Sequence, residues 1–176
     1  WVKKPLEYLT SVHLAPDGER VVLTARGQVF VAPVKQGRFV AIPRKSGVRY
    51  RSAGFLPDGK SLVALSDETG ELEFWMLPAN GTGQPKPLTQ EGQVYRYPAL
   101  PSPDGKWLVW YDKNQQLWLF NMAQKQSKLV ATSLRNNFTD LAWSPDSQWL
   151  AYVQAATNTY RQIYLYRLAD GRLATL

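Results

Sequence analysis

Four copies of one short turn motif constrain this chain more than any other feature of it. Pro16-Asp17-Gly18, Pro57-Asp58-Gly59, Pro103-Asp104-Gly105 and Pro145-Asp146-Ser147 follow one another at intervals of 41, 46 and 42 residues. Proline presets the second position of a type I turn, aspartate bonds locally to the backbone, and glycine accepts the positive φ that closes the turn. Apolar runs enter and leave each motif, as in Phe55-Leu56 before the second copy and Leu62-Val63-Ala64-Leu65 after it. Strand, tight connection, strand is the reading of each. A fixed period of this length marks a repeat protein.

Aligning the turns yields four units of four short strands. The first unit has strands at 12–14, 20–24, 28–34 and 38–42, with Arg26-Gly27 as a tight hairpin connection. The second has 52–55, 61–66, 72–77 and 85–89, with longer connections at 67–70 and 79–84 that account for its wider spacing. The third has 97–100, 107–111, 116–120 and 128–131, and the fourth has 140–143, 149–153, 162–168 and 172–176. Twelve prolines and twelve glycines gather at the turns and leave no room for helices. The third strands carry the clearest alternation, with Leu72, Phe74 and Met76 against Glu71, Glu73 and Trp75, and 162–167 behaves similarly with large side chains on both faces. Such strands belong to sheets covered on both sides.

Antiparallel units of this size, each needing neighbours to cover its faces, are the WD-repeat-like blades of a β-propeller. The expected fold is therefore all-β, a propeller of four-stranded antiparallel blades. The whole chain, 1–176, reads as one propeller segment with blades at about 1–44, 45–91, 92–133 and 134–176. A β-sandwich would not repeat its turn at this period. Four blades are read as an open arc of a six- or seven-bladed ring, whose end faces invite self-association or the missing blades. Trp107, Trp110, Trp143 and Trp149 are expected between blades. The chain opens at Trp1 rather than Met, which reads as a processed protein or a piece of a longer one.

The composition removes several function classes. With no cysteine, disulfides and thiolate metal sites are excluded. His13 is the single histidine, so multi-histidine centres are excluded and any Ser-His-Asp triad would have to use it. Its place between Val12 and Leu14 predicts a strand residue facing opposite to them. No cofactor and no metal are expected, and the turn aspartates read as structural because each stands alone in its unit. The net charge of +7 is scattered, and the aromatics alternate with aliphatics at core spacing, so neither nucleic acid nor a membrane is expected as a partner. Cytoplasm and periplasm both remain open.

Three phrases resemble the N-terminal propeller region of tricorn-type proteases: 24–34 (TARGQVFVAPV), 66–73 (SDETGELE) and 142–152 (AWSPDSQWLAY). The turn motif by itself also occurs in the Tol-system periplasmic propeller and in relatives of prolyl oligopeptidase. The resemblance implies a non-catalytic segment of a serine peptidase. Its implied partners are peptides or unfolded polypeptide, together with the remaining blades and peptidase domain of a parent chain. It implies a role in gating or guiding peptides, and no position here matches the family's catalytic motif.

One binding site is suggested by the residues themselves. In propellers of this kind the first strand of each blade lines the central channel. Arg49 and Arg51 lead into that strand in the second unit and Arg96 in the third, while Tyr8 and Thr10 in the first, and Asn137 and Phe138 in the fourth, take those places. No acidic residue lies between Arg38 and Gly54, or between Gly92 and Pro103. Arginines so placed bind carboxylates such as peptide C-termini, or else they are solvated strand-edge charges.

Overall fold

A computed structural model describes residues 3–136, 138–156 and 160–176; Trp1 and Asn137 therefore lie outside the described residues. Among the described residues sixteen strands form four sheets of four, each assembled from consecutive strands. The first sheet is β1 (Leu9–Leu14), β2 (Arg20–Ala25), β3 (Gln28–Pro33) and β4 (Val40–Ala41), and the second is β5 (Tyr50–Phe55), β6 (Ser61–Ser66), β7 (Glu73–Pro78) and β8 (Lys86–Pro87). The third is β9 (Leu100–Pro101), β10 (Trp107–Tyr111), β11 (Gln116–Asn121) and β12 (Gln126–Thr132). The fourth is β13 (Thr139–Trp143), β14 (Trp149–Ala155), β15 (Arg161–Arg167) and β16 (Leu173–Thr175). All pairings are antiparallel. Among the described residues the only helical element is a single 3-10 turn at Pro5–Tyr8.

The repeated turn has the same geometry four times. The N–H of Gly18, Gly59, Gly105 and Ser147 each donates at 2.9 Å to the carbonyl three residues earlier, on Ala15, Leu56, Ser102 and Ser144. Those four residues have φ of 72°, 62°, 71° and 60°. Each aspartate accepts the N–H two residues on: Asp17 from Glu19, Asp58 from Lys60, Asp104 from Lys106 and Asp146 from Gln148. These bonds hold all four carboxyls below the usual range. For Asp17 the Glu19 N–H dominates, and for Asp146 the Ser144 hydroxyl does. At Asp58 and Asp104 burial pushes upward, but the bonds from Ser61, Lys60, Ser102 and Lys106 outweigh it.

The chain forms two compact units, 1–93 and 94–176. In the first, Val22, Val29 and Val31 of the first sheet pack on Ala53, Phe55, Leu62, Ala64, Trp75 and Leu77 of the second. In the second, Val109, Leu117 and Leu119 of the third sheet pack on Phe138, Leu150, Tyr152 and Tyr166 of the fourth. Alternating strands thus give each sheet two faces, and one face of each joins a shared apolar layer. Trp110 is fully buried, while Trp143 donates its indole N–H to the Leu100 carbonyl at 3.2 Å, joining the third and fourth sheets. Val12 and Leu14 lie on the open face of the first sheet, each 55% exposed. On the last sheet Ile163 and Leu173 are exposed.

Strand boundaries differ from expectation mainly at the fourth strands, where β4 and β8 have two residues each, and in the third repeat. There Pro98, which has no N–H to donate, interrupts pairing. Tyr97 still donates to the Tyr111 carbonyl and Lys113 to that of Tyr95, both at 2.9 Å, but β9 proper begins at Leu100.

Candidate functional site

The first strand of the second sheet is stitched to the first sheet through its backbone. Tyr50 N–H donates to the Gly27 carbonyl at 3.0 Å, Ala53 N–H to Thr24 Oγ1 at 3.2 Å, and Phe55 N–H to His13 Nδ1 at 3.2 Å. A bulge makes this possible. Arg51 pairs with Leu65 and Gly54 with Val63, so β5 carries one extra residue, and Ser52 takes the left-handed region at φ 51°. The extra residue turns the Ala53 N–H out of the β5–β6 ladder. The same irregularity recurs in β1, between Leu9 and Ser11, and in β13, where Asp140 has φ 52°.

This stitching sets the arginines. Arg51 is exposed on β5, opposite Leu65. Arg49, also exposed, precedes β5, and its backbone is clamped by Asp67: the Arg49 N–H donates to Asp67 Oδ1 at 2.7 Å and the Asp67 N–H to the Arg49 carbonyl at 3.3 Å. A carboxylate missing from the local sequence is thus supplied by the hairpin partner. Gly27 is required here, because a Cβ on it would stand 3.0 Å from Cβ and Cγ of Arg49, and its φ is +73°.

Arg96 has a different environment. It is 7% exposed, bridges Asp112 through the backbone, and places its guanidinium 5.5 Å from the centre of the Trp110 ring. Parity explains the difference. Arg49 and Arg51 stand eight and six residues before Pro57, whereas Arg96 stands seven before Pro103. Side chains alternate along extended backbone, so the odd step sends Arg96 to the side that the buried Tyr50 occupies in β5. Of the residues matched to the arginines, Tyr8 lies under the Arg26 guanidinium at 4.9 Å, Thr10 donates its hydroxyl to the Thr24 carbonyl at 2.9 Å, and Phe138 is core.

His13 faces away from Val12 and Leu14, toward Gly54 and Phe55. Burial lowers its pKa, and its Nδ1 is occupied as an acceptor. Two buried carboxylates escape the sequence reading. Glu73, 2% exposed on β7, accepts the Thr89 hydroxyl and the Gly92 N–H. Asp112 accepts the Gln116 N–H at 3.0 Å and the Trp118 indole N–H at 2.9 Å. Both act as staples for chain that leaves a strand. Among the described residues no three His, Asp or Glu side chains gather as metal ligands do. The exposed guanidinium groups of Arg49 and Arg51 flank the start of β5.

Comparison with known proteins places this geometry. Residues 9–176 match the model of the tricorn protease second beta propeller domain. A protein of Sulfurisphaera tokodaii described as a putative Tricorn-like protease C-terminal subunit is 28% identical over 164 residues, 93% of this chain and 18% of that protein. The crystal structure of the tricorn protease superposes with a TM-score of 0.83 at 16% identity, covering 97% of this chain and 17% of the other. A putative TolB from Agrobacterium tumefaciens gives 0.73 at 17% identity, covering 95% and 61%. The propeller fold is common to these, and the chain spans less than a fifth of the tricorn-type relatives. With a family match across nearly its whole length, this chain belongs to the tricorn protease second β-propeller family.

Proposed function

We propose that this chain is a non-catalytic β-propeller segment of a tricorn-like serine peptidase and guides peptide substrates toward the catalytic domain of the parent protein. The observation that carries the reading is the family match over residues 9–176. The exposed Arg49 and Arg51 support it, since they can form charge-assisted bonds to peptide carboxylates. Arg96, packed over Trp110, holds the matching backbone of the third sheet. The open apolar faces carrying Val12 and Leu14, and Ile163 and Leu173, are taken by the remaining blades, and the isolated chain self-associates through them.

The test is titration with a short peptide and its C-terminally amidated twin at low and high salt. The acid should bind better, weakly and with salt sensitivity, because each exposed pair contributes about 0–1 kcal/mol. Arg49→Ala/Arg51→Ala should abolish the difference between the twins. Equal binding of both peptides by the unaltered chain sinks the carboxylate reading. Turnover of fluorogenic peptides that vanishes on His13→Ala would overturn the non-catalytic one. A second reading, an interaction propeller of the Tol type, is favoured by the TolB likeness. It predicts capture of a folded protein partner and no discrimination between the peptides.

A further inference from the structure

A cleft of about 610 Å³ opens in the first unit between the first repeat turn, the loop joining β3 to β4, and the chain after β7. It exists because β4 is short. β4 pairs with β3 only at Phe30 and Val31, and the chain at 34–39 leaves the sheet edge. Pro33 has no N–H with which to continue the ladder. Both ends of the loop are held. The Val34 N–H donates to the Glu19 carbonyl at 2.8 Å, and the Phe39 ring stacks on Phe30 with centres 5.4 Å apart. Between them Gly37 packs on Pro33, so closely that a Cβ on it would stand 3.0 Å from the proline Cβ.

Two features of this cleft ask for a partner of opposite kind. The first is charge. Glu19, Arg20, Lys35 and Arg38 line it, and Arg20 is paired with Asp17 at 3.0 Å. Among the described residues neither Lys35 nor Arg38 has an acidic partner and Glu19 has no basic one, so positive charge is in excess. The second is an open backbone acceptor. Val29 accepts the Ile42 N–H at 2.9 Å on the β4 side, and Pro33, an even number of residues on, turns its carbonyl the same way. Among the described residues no backbone N–H donates to it. Aliphatic side chains that solvent reaches lie alongside: Val34, 54% exposed, and the half-buried Pro33 and Val40.

We propose that this cleft binds an extended stretch of polypeptide in which an acidic residue is flanked by aliphatic ones. A main-chain N–H of the stretch donates to the Pro33 carbonyl, the acidic side chain takes Lys35 and Arg38, and an aliphatic neighbour lies on Val34 and Val40. Sheet edges recruit peptides in this way, with the backbone giving affinity and the side chains specificity. Arg49 and Arg51 take no part, and the site stands apart from the guiding role proposed above.

The experiment follows the valine methyl signals of the ¹³C-labelled 176-residue chain by NMR during titration with acetyl-Leu-Glu-Leu-amide, and with acetyl-Leu-Gln-Leu-amide as control. Val34→Ala identifies the Val34 signals by loss. They should shift with the glutamate peptide, and the glutamine peptide should bind about fivefold more weakly, a difference that salt narrows. Lys35→Ala/Arg38→Ala alters only exposed loop side chains, so its melting temperature should hold while the two peptides become equal. Glu19→Gln should tighten the glutamate peptide about twofold by removing the one carboxylate that opposes it. Arg49→Ala/Arg51→Ala should leave the Val34 response intact, so failure here is separable from failure of the C-terminal carboxylate reading. Val34 signals that stay fixed to millimolar peptide overturn the proposal. So does equal binding of the two peptides by the unaltered chain, or a folded Lys35→Ala/Arg38→Ala chain that still prefers glutamate.

Discussion

Arg20 ties the first repeat turn to the second: its Nη2 donates to the Gly59 carbonyl at 2.8 Å and to Asp17 Oδ2 at 3.0 Å. The guanidinium also lies 5.4 Å from the centre of the Phe55 ring. One side chain thereby joins two motifs that stand 41 residues apart. Arg20→Met keeps much of the packing and removes both bonds, so thermal or urea unfolding should show a loss of about 1–2 kcal/mol. Arg20→Lys should recover only part, because an ammonium cannot reproduce the planar contact with Phe55. No loss in Arg20→Met would make the bond to Gly59 incidental.

Stability should fall in two stages on acidification. His13 accepts from Phe55 N–H and is therefore needed neutral. Its pKa is lowered in the fold, so its contribution is full above about 6.5 and is lost as pH drops from there through the depressed folded value. The four turn aspartates are depressed carboxyls, whose contribution is present above the ordinary value of 3.8 and lost below it. His13→Asn offers an oxygen to the Phe55 N–H without titrating. Unfolding free energies measured from pH 7.5 to 3 should lose the upper stage in that variant and keep the lower one. An upper stage that survives in His13→Asn assigns it to other groups.

Glu73 and Gly92 define a tight junction at the end of the second repeat. A Cβ on Gly92 would stand 2.6 Å from Glu73 Oε1, which already accepts the Gly92 N–H. Gly92→Ala should cost about 1–3 kcal/mol, because the carboxylate is pinned by Thr89 and has no room to retreat. In a Glu73→Ala background the same change should cost far less. A double-mutant cycle by urea unfolding measures the coupling, and additive losses would refute it.

The fourth turn has Ser147 where the others have glycine, at φ 60°. Its hydroxyl accepts the Asp104 N–H at 3.0 Å, linking the third and fourth turns. Ser147→Gly relieves backbone strain but orphans that N–H, whereas Ser147→Ala orphans it and keeps the strain. The expected order of melting temperature is wild type, then Gly, then Ala, with about 1 kcal/mol between the last two. Ala at or above Gly would show that the strain is negligible at this position.

The turns and their apolar flanks were legible because proline, aspartate and glycine act within four residues, and four sheets follow from them. The bulges at Ser52 and Asp140 were not, since serine gives no signal of positive φ, aspartate adopts it only occasionally, and the bulge at Ser52 answers to Thr24 of the neighbouring sheet. Arg96 shows how a correct element can carry a misplaced side chain: a shift of one residue against Arg49 and Arg51 changes the face it occupies. Glu73 sits at an alternation position that suggests solvent, and only the returning chain at Thr89 and Gly92 makes its burial tolerable.

The ladders built from consecutive strands have a kinetic consequence. Every sheet closes within 9–41, 50–87, 100–132 or 139–175, so no strand waits for a distant partner during synthesis. Loop-closure entropy stays small for each, and hydrogen bonding can be completed repeat by repeat as the chain emerges from the ribosome. Docking of apolar faces is the slower requirement, since the first and third sheets leave bare the faces that the second and fourth come to cover. Aggregation during biosynthesis is thereby governed by the lag between successive repeats, and the second, with its longer connections at 67–70 and 79–84, sets the longest such interval.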